Sequence, residues 1–247
     1  MTLAAVAALL AASAAAGAAR PPVSLIASPA HVSLAGTARA GVVVTNSGTE
    51  PVVVDVTRAG FALDLHGRPG PVARRSSWLA VGPRQLVLAP GAAATLTVSA
   101  RVPRRAQPGD HSELVLLSTR PSVRRGLPVR VRLGVVVVVR APGKVVHRVG
   151  LLGLRSRRAG RGRRLEVLVA NTGNVTEHLG GTCMTVTVHR GARILTRLRG
   201  VRRDLLPHSR GVVDVRYAGK ARGPVVVRVV LLRACGGPRV RAFAVRL

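Results

Sequence analysis

The sequence predicts an all-β protein built from two consecutive antiparallel β-sandwich domains that follow an N-terminal leader. Three features predict this fold class: apolar residues that alternate with polar ones, turn-forming residues that separate the alternating segments, and a motif that occurs twice. Antiparallel sheets that bury one face and expose the other produce such alternation. Short strands bounded by turn residues at about ten-residue intervals are typical of sandwiches and barrels.

Period-two alternation runs through much of the chain. Residues 95–102 alternate between apolar and polar side chains, and residues 129–133 alternate valine or leucine with arginine. In residues 165–170 Leu or Val alternates with Glu, Leu and Ala, so the second face of this segment is less polar. No segment after the leader has the apolar spacing of an amphipathic helix. Hydrophobic residues make up 47% of the chain but aromatic residues only 2%. The cores must therefore be built from Val, Leu and Ala, which favours strands because β-branched side chains pack well on a pleated surface.

Turn-forming residues separate these segments. Gly, Pro and Asn supply the positive or fixed φ angles that tight turns require. The main turn segments are 46–48, 66–70, 90–91, 108–109, 171–174 and 235–238.

A repeated motif indicates the number of domains. The segment Val-Val-Val-Thr-Asn-Ser-Gly at 42–48 has a counterpart in Val-Leu-Val-Ala-Asn-Thr-Gly at 167–173. Pro90, which precedes a strand, has a counterpart in Pro207. The offsets are 125 and 117 residues, similar enough to indicate two sandwiches in tandem. We therefore expect the boundaries to be 20–140 for the first domain, 141–144 for a short turn-forming linker and 145–247 for the second domain.

The first nineteen residues have the features of a secretory signal peptide. Residues 3–19 carry no charge, and Ala16-Gly17-Ala18 forms an A-x-A cleavage site before Arg20. The alternative is an uncleaved membrane anchor, for which the segment is short and rich in alanine. We expect the protein to be secreted or at the cell surface, outside the cytoplasmic membrane. It would be attached to a membrane only if the leader stayed uncleaved.

The chain is strongly basic. It has 39 Lys and Arg residues against 9 acidic ones, which gives a net charge of +30. An exported protein with few aromatic side chains on which single strands could stack is not expected to bind nucleic acid. Positive charge of this size attracts anionic wall polymers and lipid headgroups. The alternative is that the arginine content reflects a GC-rich genome, in which lysine codons are scarce.

The densest charge lies in a ten-residue segment that also contains Gly160 and Gly162. Its six arginines are Arg155, Arg157, Arg158, Arg161, Arg163 and Arg164. Guanidinium groups bind phosphate or carboxylate through paired hydrogen bonds, and glycines would let a loop conform to a polymer. The segment predicts a loop that binds a teichoic-acid-like polymer or an acidic polysaccharide. The alternative is a solvated hairpin loop that binds nothing.

The chain has two cysteines, Cys183 and Cys235, both in the second half. An even number of cysteines in an exported chain predicts a disulfide, which would stabilise that domain by about 2–4 kcal/mol. Two cysteines without CxxC spacing do not form a zinc site. We expect neither a metal nor another cofactor.

No set of residues in the sequence has the spacing that catalysis requires. The seven histidines are scattered, and there is neither a nucleophile elbow nor a phosphate-binding Walker loop. Asp110-His111-Ser112 contains the residue types of a triad, but neighbours on an extended segment face opposite sides. Trp78, the sole tryptophan, is expected to anchor a core, with carbohydrate stacking as the alternative. The sequence therefore predicts a protein that is not an enzyme.

Several short motifs occur in a recognisable order. The first half contains Val42-Val43-Val44-x-Asn46-x-Gly48, Trp78-Leu79-x-Val81-x-Pro83 and Leu88-x-Pro90-Gly91, and the second half contains Asn171-x-Gly173-Asn174 and Leu205-Leu206-Pro207. This order resembles the WxL-interacting cell-surface proteins of bacteria. The resemblance implies two immunoglobulin-like sandwiches, the first close to peptidoglycan and the second binding a partner. A weaker resemblance, in the Val-x-Pro and Leu-x-Pro-Gly stretch, is to periplasmic pilus chaperones, which also have two such sandwiches.

The resemblance has one departure. WxL-interacting proteins continue into a C-terminal membrane helix with a basic tail, whereas this sequence ends at Leu247 after an apparent strand. Either the chain is a soluble variant or only the fold is shared, and no ligand-binding residue is carried over.

These observations lead to one functional hypothesis and two alternatives. We expect a non-catalytic envelope protein that binds an anionic wall polymer, a surface protein, or both, through its sheet edges and basic surface. The first alternative is a periplasmic-type chaperone that donates a strand to surface subunits, which requires an exposed apolar edge. The second is a hydrolase whose catalytic residues come together only in the fold.

Overall fold

The computed structural model describes residues 21–73, 76–121, 129–232 and 238–247. Within these ranges the regular structure consists of strands, with no helix. The all-β fold class predicted from the sequence is therefore confirmed. The predicted signal peptide at 1–19 and Cys235 lie outside the described residues.

The first sandwich is formed by strands β1 to β10. They are β1 (Leu25–Ser28), β2 (His31–Ala35), β3 (Ala38–Asn46), β4 (Val52–Leu63), β5 (Pro69–Val72), β6 (Leu79–Gly82), β7 (Gln85–Leu88), β8 (Ala93–Ala100), β9 (Gly109–Thr119) and β10 (Arg132–Ala141). One sheet has the order β1-β3-β8-β6, and the other has the order β2-β10-β9-β4-β5 with β7 also paired to β4. Neighbouring strands are antiparallel except β2 and β10, which are parallel.

The second sandwich is formed by strands β11 to β19. They are β11 (Val149–Ala159), β12 (Gly162–Asn171), β13 (Glu177–Leu179), β14 (Met184–Arg190), β15 (Arg193–Arg199), β16 (Arg203–Leu205), β17 (Arg210–Tyr217), β18 (Pro224–Leu231) and β19 (Arg239–Arg246). A three-stranded sheet, β11-β12-β17, faces a four-stranded sheet, β15-β14-β18-β19, and β13 pairs with β16 beside them.

Each sandwich has its own core, made almost entirely of valine and leucine. In β8, Leu96 and Val98 are fully buried, and in β12, Leu165, Val167 and Val169 are fully buried. The residues between them point away from the core, so the alternation in the sequence corresponds to the two faces of each sheet. Burial of aliphatic side chains at about 25 cal/mol per Å² is the main favourable term in such cores.

The repeated Asn-x-Gly motif makes corresponding hydrogen bonds in both sandwiches. The Asn46 Nδ2 donates to the carbonyls of Glu50, Leu88 and Ala89, and its Oδ1 accepts from the Gly48 N–H at 3.0 Å. The side chain therefore closes its own turn and ties that turn to the end of β7.

The second copy repeats this arrangement 125 residues later. The Asn171 Nδ2 donates to the carbonyls of Val175 and Leu205, and its Oδ1 accepts from the Gly173 N–H at 2.8 Å. The backbone N–H of Asn171 donates to Ser209, as that of Asn46 donates to Ala92. The internal repeat predicted from the sequence therefore lies at equivalent positions of two similar sandwiches.

Candidate functional site

The edge of β10 is only partly covered by a neighbouring strand. On one side β10 pairs with β9 along its whole length, from Arg132 to Ala141. On the other side β2 pairs with β10 only from Val136 to Arg140. Within the described part of the chain, no strand lies beside residues 132–135 on that side. This short stretch therefore presents backbone groups to which another extended segment could pair.

The core-facing row of β10 becomes more exposed towards its N-terminal end. Val135 and Val137 are fully buried, and Leu133 is half-buried at the margin of the core. Two positions earlier Val131 is half-buried, and Val129 is 50% exposed. An alternating apolar row thus continues beyond the closed core, next to the uncovered edge.

The outer face of the β2-β10-β9-β4 sheet faces the second sandwich across a cleft. The cleft contains two cavities, of about 200 Å³ and about 660 Å³. Both are lined by Phe61, Asp110, Ser112 and Leu206, so the two cavities adjoin each other at these residues. The Ser112 Oγ is buried and has no hydrogen-bond partner among the described residues. A polar group entering the cleft could satisfy it.

A buried carboxylate joins the two sandwiches where the two cavities adjoin. Asp110 accepts hydrogen bonds from Arg140 Nε at 2.6 Å and Nη2 at 3.0 Å, and from the Thr176 N–H at 2.8 Å. Burial acts to raise the pKa of Asp110, but the hydrogen bonds from Arg140 and Thr176 and the charge of Arg140 outweigh it. The pKa of Asp110 therefore lies below the ordinary aspartate value. The carboxylate is ionised at neutral pH and holds the second sandwich against the first.

Asn174 forms a second set of contacts across the same boundary. Its carbonyl accepts from the Asp110 N–H at 2.8 Å, and its Nδ2 donates to Pro108 at 2.9 Å and Lys144 at 2.8 Å. Gly109 has a φ of +117°, and a Cβ at this position would collide with the Asn174 carbonyl. Only glycine permits both this backbone conformation and this close approach.

The tip of the β4–β5 hairpin provides a further contact between the sandwiches. The Leu65 carbonyl accepts from the Val212 N–H at 2.8 Å, and the Asp64 carbonyl accepts from Arg203 Nη2 at 2.8 Å. Together with Asp110 and Asn174, this contact holds the two walls of the cleft in one arrangement.

Trp78 lies at the margin of the first core and not at its centre. The adjacent Leu79 is 2% exposed and supplies the core side chain of β6, whereas Trp78 is half-buried. Its ring makes an edge-to-face contact with His111, with ring centroids 4.6 Å apart, at the wall of the larger cavity. The prediction that Trp78 anchors the core is thus met only in part, because the strand places Leu79 inward.

The residues Asp110, His111 and Ser112 do not form a catalytic triad. Asp110 is bonded to Arg140 and Thr176, while His111 Nε2 contacts the Gln107 carbonyl at 2.8 Å and the ring packs on Trp78. The described residues contain no group of three or more His, Cys, Asp or Glu side chains placed to hold a metal ion. Nor do they contain a helix long and apolar enough to cross a membrane.

The six arginines predicted to bind anions lie on the hairpin formed by β11 and β12. The outer face of the sheet carries three of them, Arg155, Arg157 and Arg164, which are exposed. They alternate with positions that face the core, such as the buried Leu165 and its pairing partner Ser156. Arg158 and Arg163 point to the opposite face, and Arg161 lies in the turn. The predicted flexible loop is therefore a regular hairpin that separates the cluster into two faces.

The sequence did not identify a further arginine that belongs with this group. Arg216 on β17 pairs directly with Arg164 and lies on the same outer face. It lies 52 residues further along the chain, so only the pairing of β12 with β17 brings it beside the hairpin. The one indication in the sequence is that Arg216 lies between Val215 and Tyr217 in an alternating segment, which predicts that Arg216 faces outward.

Cys183 precedes β14 and packs at the margin of the second core. Because Cys235 lies outside the described residues, the Cys183–Cys235 disulfide stays a prediction. The Leu232 N–H donates to the Cys183 carbonyl at 3.1 Å, so the chain three residues before Cys235 is adjacent to Cys183.

Comparisons with known proteins relate the chain to others by fold alone. No protein-family profile matches the sequence, and no curated protein matches it. Among solved structures, it is similar to the class 5 fimbriae chaperone CfaA, with a TM-score of 0.53 and 12% identity over 89% of this chain and 98% of that one. It is also similar to a chain of a chaperone–tip adhesin complex from CFA/I fimbriae biogenesis, with a TM-score of 0.50 and 11% identity over 90% of this chain and 98% of that one.

These similarities distinguish between the two resemblances noted in the sequence. The two-sandwich fold of fimbrial chaperones is shared across nearly the whole chain. The resemblance to WxL-interacting proteins stays a prediction.

Proposed function

We propose that this protein is a non-catalytic, chaperone-type binding protein that holds an extended segment of a surface protein on the open edge of β10. The observation that carries the proposal is the uncovered edge at residues 132–135 beside an apolar row that continues outward through Val131 and Val129. A bound segment would gain backbone hydrogen bonds from the edge and apolar contacts from the row. This is recognition by addition of a strand to a sheet.

The fold similarity supports this proposal over a purely structural role. The two solved structures described above are named as a fimbriae chaperone and as a chaperone–tip adhesin complex. We propose a partner of the same general kind, a surface subunit with a segment of alternating apolar residues. The N-terminal leader predicted from the sequence supports an encounter outside the cytoplasmic membrane.

The fixed arrangement of the two sandwiches also supports the proposal. Asp110 and Asn174 connect them near the C-terminal end of β10, whereas the open edge lies at its N-terminal end. The edge is therefore presented by a preorganised scaffold, and less conformational freedom is lost on binding. The cleft contains the Ser112 Oγ, which has no hydrogen-bond partner in the described ranges, and could receive a polar part of the same partner.

Site-specific photo-crosslinking in the native cells tests the proposal. A photoreactive residue replacing Val129 should capture one main protein, and an added Val131→Asp substitution should abolish the crosslink because a charge would then face the apolar segment. A photoreactive residue replacing Val226, a 42% exposed valine on the second sandwich, is the matched control. Equal crosslinking at both positions, or none at 129, would exclude the edge as the binding site.

The lifetime of the crosslinked complex separates a chaperone from a permanent scaffold. In a pulse-chase experiment a chaperone should release newly made partner within the time in which that partner reaches the surface. A complex that persists throughout the chase would favour the envelope scaffold predicted from the sequence.

A further inference from the structure

Three arginines form a continuous row across three neighbouring strands of the second sandwich. Arg157 on β11 pairs directly with Arg164 on β12, and Arg164 pairs directly with Arg216 on β17. The next residues, Leu165 and Val215, are fully buried, so all three arginines point outward. Strands lie about 4.8 Å apart, so the row spans roughly 10 Å. We refer to these three residues as the arginine row.

This arrangement of like charges destabilises the sheet. Like charges directly opposite each other on neighbouring strands are unfavourable. The Arg157 Nε is paired with Glu166 Oε2 at 3.0 Å, which relieves one end of the row. Within the part of the chain that the structure describes, neither Arg164 nor Arg216 makes an ion pair. A local arrangement that costs stability and is compensated only at one end is expected at a functional site.

The surface beside the arginine row is concave. Arg164 and Arg216 line a depression of about 360 Å³ together with Asp214 and Val201. Both side chains are exposed, so their guanidinium groups are available to an anion in this depression.

The outer face of the opposite sheet provides a comparison within the same domain. There Arg197 on β15 and Arg228 on β18 are separated by Thr187 on the strand between them. That face carries arginines as well, but the three-strand row is interrupted by a hydroxyl. The general arginine content of the chain therefore accounts for the scattered arginines on this face. It accounts less well for the uninterrupted arginine row on the β11-β12-β17 sheet.

We propose that the arginine row binds a linear phosphodiester polymer of the cell envelope. The two non-bridging oxygens of a phosphodiester can accept hydrogen bonds from guanidinium groups of two neighbouring strands, and guanidinium groups bind phosphate through paired hydrogen bonds. Consecutive phosphates of a flexible polymer can occupy the row and the depression together. This function goes beyond the proposed binding at the edge of β10 and does not depend on it.

Two other polyanions fit the row less well. Single-stranded nucleic acid is held by aromatic side chains on which bases stack, and the nearest aromatic residue of β17, Tyr217, is buried in the core. A lipid surface is bound most firmly when exposed apolar side chains accompany the charges, and of the residues lining the depression only Val201 is an exposed large apolar one.

Calorimetric titration with long-chain inorganic polyphosphate tests the proposal. The triple variant Arg157→Gln, Arg164→Gln, Arg216→Gln should lower the association constant at least tenfold. It should also reduce the slope of log K against log salt concentration by about two, at roughly 0.7 per phosphate for a flexible polymer. The matched control is Arg197→Gln, Arg199→Gln, Arg228→Gln, which removes the same charge from the opposite sheet and should change the constant less than twofold.

The control measurements determine which outcomes support or overturn the proposal. Equal loss of affinity in both triple variants would mean that net charge alone attracts the polymer, and would overturn it. Equal or tighter binding of poly-glutamate, or of vesicles containing an anionic phospholipid, would overturn the choice of ligand. Both variants should fold, as shown by circular dichroism, because every substituted side chain lies at the surface.

Discussion

The carboxylate of Asp110 faces both sandwiches at once, accepting paired hydrogen bonds from Arg140 on one side and the Thr176 N–H on the other. Arg140 is the second-last residue of the strand that offers the open edge, and Thr176 belongs to the second sandwich. The same group therefore links the strand proposed to bind a partner to the arrangement of the domains. It is the clearest point at which a single substitution should change both.

Acidification is expected to weaken the contact between the sandwiches. The folded-state pKa of Asp110 lies below its ordinary value, so its contribution is complete above an ordinary aspartate pKa of about 3.9 and is lost as the pH falls through the lower folded-state pKa. Small-angle X-ray scattering should show a more extended molecule at low pH. Few other groups titrate in this range, because the chain has only 9 acidic residues.

The Asp110→Asn variant should show the loosened arrangement already at neutral pH. Loss of a buried, charged hydrogen-bond acceptor should destabilise the interdomain contact by about 2 kcal/mol. Asp55→Asn is the matched control, since Asp55 also pairs with an arginine and has a lowered pKa, but among the described residues its ion pair and pKa shift involve only its own sandwich. An identical scattering profile for Asp110→Asn and the wild type at neutral pH would contradict this role.

Replacement of either repeated asparagine should destabilise its own sandwich. Asn171→Ala leaves the carbonyls of Val175 and Leu205 and the Gly173 N–H without their buried partner. We expect a loss of about 3 kcal/mol in the free energy of unfolding, measured by urea denaturation. Thr172→Ala, at an exposed neighbouring position, should change it by less than about 0.5 kcal/mol.

Asn46→Ala tests whether the two motifs are equivalent. It should destabilise the first sandwich by a similar amount, because the side chain makes the corresponding bonds there and one more to the Ala89 carbonyl. A substantial loss in one variant without a loss in the other would show that the repeat does not have the same structural role in both sandwiches.

The sequence was sufficient to predict the strands and the repeat because both depend on local chemistry. Alternation in residues 95–102 and 165–170 predicted which side chains are buried. The asparagine of each Asn-x-Gly motif closes its own turn, so the repeat also depends on neighbouring residues. The strand formed by residues 93–100 ends before Val102, so alternation overestimated that boundary by two residues.

The candidate sites were less predictable because they depend on contacts between distant residues. Gly109 and Asn174 are separated by 65 positions, and nothing local indicates that they touch. Arg216 joins the arginine row only through the pairing of β12 with β17. Likewise, the open edge of β10 is defined by where β2 stops covering it, which alternation in β10 does not reveal.

Emission from the sole tryptophan should report on the buried Glu113. The Glu113 side chain is 6% exposed and accepts hydrogen bonds from the Ser76 N–H at 2.5 Å and from the Ser76 hydroxyl, which places the segment leading into Trp78. The Glu113→Ala variant should release this segment, shift Trp78 emission to longer wavelength and increase quenching by acrylamide. Glu166→Ala, in the second sandwich, should leave the emission unchanged. Unaltered emission in Glu113→Ala would mean that His111 and the core margin alone hold the indole.

The second sandwich should contain the Cys183–Cys235 disulfide. Cys183 accepts a backbone hydrogen bond from Leu232, so a partner three residues further along the chain is within reach. A bridge that closes a loop of about 50 residues stabilises a domain by about 4 kcal/mol in the chain-entropy account. The intact mass of the exported protein should be lower by two hydrogens than that of the reduced chain, and dithiothreitol should lower the melting temperature of the second sandwich but not of the first. Titration of two free thiols in the native protein would rule the bridge out, and a Cys183→Ser, Cys235→Ser variant should melt like the reduced wild type.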